Sequence, residues 1–200
     1  MAPVWDRMIS GSEEAGLREL RQGLLADASG CVLEIGAGTG ANLPHYDGGI
    51  ESLVLTEPQP PMLRRLQRAA HEHAPQAKVL RAPAEDLPFE DDSFDIVVST
   101  LVLCGVDDQP RALREARRVL RAGGQLLFLE HVRADDPDLA RFQDRMNWLN
   151  RVVVGCDCNR PTLGTIEAEG FTVSRLEHTE TPKAPKFGRP MIVGAAAVGS

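Results

Sequence analysis

The chain has 200 residues, 42% hydrophobic and 26% charged, with a formal net charge of −7; that is enough for one domain with a full core and no covalent staples. The acidic balance argues against an extended nucleic-acid surface, which needs clustered cations, and two Trp, one Tyr and six Phe are too few for a base-stacking platform. No membrane span is expected, because the longest apolar stretch near an end, Met191 to Val198, is far shorter than the roughly 20 residues a span requires, and the N-terminus turns polar at once, with no apolar signal core.

Leu17, Leu20, Leu24 and Leu25 recur at helical spacing within residues 12–27 and predict an amphipathic helix ahead of the main fold. Cys31 to Ile35 reads as a short buried strand running into Gly36-Ala-Gly38-Thr-Gly40, a loop expected to open a helix whose N-terminus attracts negative groups. Leu53 to Thr56 is a second strand, Pro60 to Ala74 a helix opened by prolines, and Lys78 to Arg81 a third strand. Phe94 to Ser99 is a fourth strand, continuing apolar through Leu103. Pro110 to Leu120 is a helix with Leu113, Ala116, Val119 and Leu120 inward, ended by Gly123-Gly124, and Gln125 to Glu130 is the fifth strand. This alternation predicts a parallel sheet covered on both faces. Beyond it, Asp135 to Val154 reads as one long helix and Pro161 to Glu169 as a shorter one stopped by Gly170. Phe171 to Leu176 and Pro190 to Val198 read as an antiparallel pair at the sheet edge.

The glycines of the loop let a ligand approach the backbone closely. Glu34, two residues before Gly36, can face a cation, and Glu57, at the end of the second strand, can accept from both hydroxyls of a ribose. The loop with Ala41 also fits the looser dinucleotide pattern, and a nicotinamide cofactor would want Glu57 too. A nicotinamide reductase calls for a further catalytic set, but the only tyrosine, Tyr46, forms no Tyr-x-x-x-Lys pair.

Downstream come Ala84-Glu85-Asp86-Leu87-Pro88-Phe89, then Asp92-Ser-Phe94-Asp95-Ile-Val-Val, then Arg118-Val-Leu-Arg121-Ala-Gly123-Gly124 and a strand. This ordered set, over residues 31 to 131, resembles the class I S-adenosylmethionine-dependent methyltransferases. The resemblance implies an α/β, Rossmann-like, seven-stranded and mostly parallel sheet with helices on both faces and an antiparallel last strand. It implies S-adenosyl-L-methionine across the carboxyl ends of the first strands, with Glu34, Gly36, Gly38, Gly40 and Asn42 on the methionine part and Glu57 on the ribose. Ala84 and Glu85 match the adenine side, and Thr100 and Leu101 the end of the fourth strand beside the sulfonium. Many relatives carry Asp where this chain has Pro83, so adenine recognition falls on Glu85, Asp86 or backbone groups. The expected division is a helical lid segment over residues 1–29, to which Trp5 and Met8 belong, and a cofactor-binding domain over 30–200.

Ser99-Thr-Leu-Val102 lacks the Asn or Asp, prolines and aromatic of base-modifying methyltransferases. Leu101-Val-Leu-Cys104-Gly-Val106, Glu130-His131-Val132 and Gly155-Cys-Asp-Cys158-Asn-Arg160 resemble the methyltransferase-like thiol methyltransferases. That resemblance implies a small thiol as acceptor. The alternatives are C- or N-methylation of a quinone precursor, phospholipid headgroup or other small metabolite, and a non-catalytic protein that binds the cofactor. His131 is placed either to take the acceptor's proton or, with Glu130, to tie the following loop by hydrogen bonds. Cys104, Trp148 and Arg160 are candidates for the acceptor pocket: Trp148 roofs it with Phe142 and Met146 or lies in plain core, and Arg160 pairs with a carboxylate or binds an anionic acceptor. Asn159 is expected to cap the next helix. No metal is expected, because Cys156-x-Cys158 is accompanied by no second pair or histidine cluster and Cys31 and Cys104 fall in strands. The reading is of a cytoplasmic enzyme with a small-molecule acceptor and no nucleic-acid partner, acting as a monomer or weak homodimer.

Overall fold

The computed structural model describes residues 11–46 and 48–199; Trp5 and Met8 lie outside them. Seven strands form a single sheet: β1 (Gly30–Ile35), β2 (Ile50–Thr56), β3 (Lys78–Leu80), β4 (Phe94–Thr100), β5 (Leu120–His131), β6 (Phe171–Glu180) and β7 (Pro190–Val198). Their spatial order is β3-β2-β1-β4-β5-β7-β6. The pairs β1/β2, β2/β3, β1/β4 and β4/β5 are parallel, whereas β7 runs antiparallel to both β5 and β6. The chain steps outward through β2 and β3, then returns to the other flank of β1 as β4. That reversal opens a crevice between the carboxyl ends of β1 and β4, where ligands bind in sheets of this kind.

Alternation along the strands divides the core in two. Val32, Leu53, Leu55, Ile96, Val98, Leu127 and Leu129 pack beneath α1 (Arg18–Leu25) and α2 (Pro60–His73), through Leu24, Leu25, Leu66 and Ala70. Leu33, Ile35, Val97, Leu126 and Phe128 face the other way, onto Ala112, Leu113, Ala116 and Val119 of α3 (Gln109–Val119) and Ile166 of α5 (Thr162–Ala168). With both faces covered, the central strands are apolar at nearly every position. A π-helical turn, Glu13–Leu17, leads into α1 and buries Leu17 in the same core. The long helix α4 (Pro137–Val153) is started by Asp136, whose carboxylate accepts from the Leu139 N–H.

Two expectations are corrected. The glycine loop opens no α-helix: a single 3-10 turn, Leu43–His45, follows it, because β2 begins at Ile50 and Pro44 and Gly48-Gly49 intervene. Gly123-Gly124 do not end α3 either. The helix stops at Val119, Leu120 is already extended (φ −77°, ψ 136°), and the glycines lie within β5 where its register with β4 shifts. A Cβ on Gly124 would come within 2.9 Å of the Arg121 carbonyl and 3.0 Å of that of Asp95, so the shift needs glycine there. Among the described residues no helix is long and apolar enough to cross a membrane.

Candidate active site

The crevice floor is built by the glycine loop. Gly36 (φ 57°) and Gly38 (φ 60°) both hold the left-handed conformation. A Cβ on Gly36 would strike both methyls of Val102 at 2.7 Å, whereas a Cβ on Gly38 would meet nothing nearer than the Gly36 carbonyl at 4.0 Å. One glycine lets the β1 and β4 ends close together, and the other presents bare backbone to the crevice. Glu57, buried at the end of β2, accepts from the Gly38 N–H (3.0 Å) and the Gln59 N–H (2.8 Å). Burial holds its carboxyl above the usual range despite these two donors.

Glu34, Asn42 and Thr100, separated in sequence, meet in one hydrogen-bonded group. The Asn42 amide donates to Glu34 Oε1 and to Thr100 Oγ1, both at 2.9 Å, and the Tyr46 hydroxyl donates to Glu34 Oε2 at 2.7 Å. Arg21 donates from Nη1 to Asn42 Oδ1 at 2.9 Å, and from Nε to Glu13. Burial dominates and lifts the Glu34 carboxyl to about 7; Tyr46, Asn42 and the Arg21 charge pull it only partly back. Tyr46 and Arg21 were missed by the sequence reading. Arg21 left a signal, a cation within the buried stripe of Leu17, Leu24 and Leu25.

The sign of the Glu34 effect is testable. A folded-state pKa raised above the unfolded value means that stability is fully present below about pH 4.5 and is lost as pH rises through about 7. The unliganded protein is therefore expected to lose, between pH 5 and 8, roughly 3 kcal/mol that Glu34→Gln retains. Urea denaturation of both proteins across that range measures the difference; parallel curves would show that Glu34 is not the group responsible.

Among the described residues no α-helix follows the glycine loop directly, so the loop presents no helix terminus to a pyrophosphate. The crevice offers backbone N–H groups and two buried carboxylates, a set suited to a ligand with a cationic end and vicinal hydroxyls. Ala84 is buried in the core beside α3. The Glu85 carboxylate accepts from the Asp107 and Asp108 N–H groups (2.9 and 3.4 Å), tying the loop ahead of α3 to this wall. Asp86 is exposed.

Beyond β4 the chain turns sharply at Leu101, whose φ of 60° is unusual for a bulky residue. Its N–H still pairs with the Leu129 carbonyl (2.8 Å). The turn aims two N–H groups at the buried Glu130: Val102 N–H at 3.0 Å on Oε1 and Cys104 N–H at 3.2 Å on Oε2. The Ser99 hydroxyl adds a bond to Oε1 at 2.7 Å. Glu130 thus fastens the turn after β4, not the loop that follows β5. Burial still raises its carboxyl above the usual range.

His131 lies between two sulfurs and a hydroxyl. Its Nδ1 is 3.4 Å from Cys156 Sγ and 3.8 Å from Cys104 Sγ, and its Nε2 is 2.9 Å from Thr181 Oγ1. Cys104 occupies the turn after β4, not a strand. Cys156 therefore pairs with Cys104 and His131, while Cys158 turns to Asn147 Oδ1. The contact from Cys104, then that from His131, pulls the Cys156 thiol down to about 5 against its burial. Burial opposes charge on His131, yet Cys156 and Glu130 outweigh it and raise the imidazole above its ordinary value.

Arg160 pairs with a carboxylate: Nη2 and Nε donate to Asp157 Oδ2 at 2.6 and 3.2 Å, and Nη1 to the Leu103 carbonyl. Asn159 does not cap α5. The N-cap is Pro161, and the Asn159 amide reaches Asp144 Oδ1 instead. Trp148 does not lie in the core; it is 68% exposed on α4, beside exposed Leu149, Val152 and Val153, because α4 turns only Ala140 and Gln143 fully inward. Gln143, also missed, is a buried hub: its amide nitrogen donates to the Val132, Cys158 and Phe187 carbonyls and its oxygen accepts from the Ala134 N–H. A lone glutamine in an amphipathic helix carries no sequence signal of that role.

Known proteins align with this architecture. The methyltransferase domain family matches residues 33–128. Thiol S-methyltransferase TMT1A of Homo sapiens is 34% identical over 171 residues, covering 82% of this chain and 69% of that protein. Thiol S-methyltransferase TMT1B of Homo sapiens is 36% identical over 180 residues, covering 86% and 73%. Among solved structures, a SAM-dependent methyltransferase of Thermotoga maritima superposes with a TM-score of 0.73 at 24% identity, covering 98% of this chain and 95% of that one.

Proposed function

Because this chain belongs to the class I S-adenosylmethionine-dependent methyltransferases and its relatives include two thiol S-methyltransferases, we propose that its own acceptor is a small thiol. The observation that carries the thiol reading is the extent of the match to the two human thiol S-methyltransferases. It runs over more than four-fifths of the chain, well past the family domain's end at residue 128.

The crevice suits S-adenosyl-L-methionine. We assign the backbone of Gly36, Gly38 and Gly40 and the Glu34–Asn42–Thr100 group to its methionine end, Glu57 to the ribose, Ala84 and Glu85 to the adenine side, and Thr100 with Leu101 to the neighbourhood of the sulfonium. When bound, the cofactor supplies an already activated methyl carbon. The protein's task is to hold the acceptor sulfur in line with it, and positioning of that kind accounts for much of such an acceleration. An ordinary thiol titrates near about 8.5, so the site needs only to favour the thiolate. Both ring nitrogens of His131 are engaged by protein groups, which supports reading it as a positioning residue rather than as the acceptor's base. Arg21 reaches from α1 to Asn42 at the crevice, which supports a role in covering the cofactor for the described end of the N-terminal segment.

A radiolabelled methyl-transfer screen over alkyl thiols, quinones, amines and phospholipid headgroups tests this reading. Turnover is expected on the thiols. Turnover confined to amines or ring carbons would overturn the thiol assignment, and S-adenosylhomocysteine binding without turnover on any class would favour a non-catalytic protein.

A further inference from the structure

Three residues far apart in the chain bring metal-ligating atoms to one point. Cys104 Sγ comes from the turn after β4, His131 Nδ1 from the end of β5 and Cys156 Sγ from the loop after α4, and all three atoms lie within 4.8 Å of one another. Zinc binds thiolate at about 2.3 Å and imidazole at about 2.0–2.1 Å, so a tetrahedral site separates sulfur from nitrogen by about 3.6 Å. The observed separations, 3.4 Å to Cys156 and 3.8 Å to Cys104, lie on either side of that distance.

The surroundings hold these three side chains without using their ligand atoms. Cys104 donates its N–H to Glu130 and accepts the Asp157 N–H at its carbonyl (2.8 Å), which joins the first cysteine's turn to the second cysteine's loop. The Cys156 carbonyl accepts from the Asn150 amide at 2.7 Å, and the Asp157 carboxylate is gripped by Arg151, Arg160 and Asn147. His131 meets Thr181 through Nε2; an N–H donated there fixes the ring and leaves the Nδ1 lone pair facing the sulfurs, the outer contact that metal-bound histidines make. Both cysteines are buried. On binding a metal the two buried cysteines would give up their protons, and a divalent cation would cancel the two negative charges so formed beside a neutral imidazole.

We propose that Cys104, His131 and Cys156 form a binding site for a borderline-soft divalent cation, zinc foremost, with three protein ligands. Among the described residues no fourth protein ligand stands ready: Glu130 is filled by the turn's N–H groups, Asp157 by its cationic partners, and Cys158 turns to Asn147. The fourth position is left to water or an exogenous soft ligand, as in three-ligand zinc sites generally. A thiol acceptor could take that position as its thiolate, a consequence that rests on the proposed function, whereas the site itself does not.

The test is zinc titration of the full chain under reducing conditions against a chromophoric chelator, without cofactor or acceptor, accompanied by elemental analysis. One zinc per chain is expected. Cys104→Ser, Cys156→Ser and His131→Gln should each weaken it by about 100-fold or more, and Cys31→Ser should leave it unchanged. Cobalt added to the unsubstituted protein should give thiolate-to-cobalt charge-transfer absorption, a readout independent of whether the variants fold. Failure of the unsubstituted protein to bind zinc or cobalt, affinity unchanged in the Cys104 and Cys156 variants, or recovery of these two residues as a disulfide would overturn the site. Because no methyl transfer is measured, a failed acceptor screen and a failed metal titration are separate results.

Discussion

Glu57→Ala is expected to weaken S-adenosylhomocysteine binding by about 100-fold, or about 2.7 kcal/mol, with little change in the melting temperature of the free protein. Glu57 already satisfies the Gly38 and Gln59 N–H groups, and each carboxylate oxygen retains capacity for a second donor. Hydrogen bonds to a charged acceptor contribute about 1.5–3 kcal/mol each, so losing two ribose hydroxyl contacts sets the scale. The two N–H groups left behind lie at a loop and at a helix start, where water can replace the carboxylate at small cost to stability. Isothermal titration of both proteins decides the matter. Equal affinities would remove Glu57 from the ribose site, and an equally large fall in melting temperature would make it a structural residue.

Glu130→Ala should instead act on stability, by several kcal/mol. Its carboxylate gathers the Ser99 hydroxyl and the N–H groups of Val102 and Cys104 in a fully buried setting. Truncation leaves those donors without a partner, at about 1–3 kcal/mol for each that cannot find water. It also releases the turn that holds Leu101 at φ 60°. Against a typical total of about 5–15 kcal/mol, this single change could unfold the protein at moderate temperature. Glu130→Gln keeps one accepting oxygen and should lose distinctly less. Denaturant midpoints of the three proteins check the order; an alanine variant within about 0.5 kcal/mol of the parent, the range of an inconsequential surface change, would show that the turn holds without the carboxylate.

The sequence made the cofactor half of the molecule legible because its parts are local. Strand, glycine loop and the second strand's terminal acid fall within residues 30–57, and the near-continuous burial of β1, β4 and the end of β5 can be read as short apolar runs. The antiparallel pair of β6 and β7 was legible for the same reason, though β6 runs on to Glu180. The acceptor half was not. Cys104, His131 and Cys156 are separated by 27 and 25 residues, and only the tertiary packing of three loops brings them together. Spacing instead favoured Cys156 with Cys158, whose side chains take different partners. The glycine loop misled in another way: a pattern shared with dinucleotide folds suggested a following helix, and the nine residues between Gly40 and Ile50 left room for one 3-10 turn.

The insertion of β7 between β5 and β6 constrains the order of assembly. The parallel units from β1 to β5 can pair as they emerge, but β6 has no neighbour to join until residues 190–198 are in place. Until then the far side of β5, from Gln125 to His131, presents an unpaired row of N–H and C=O groups, a template for docking onto another nascent chain. The cofactor cleft can therefore mature before the sulfur-lined end beside His131, and a chain stalled between those stages would be both half-built and adhesive.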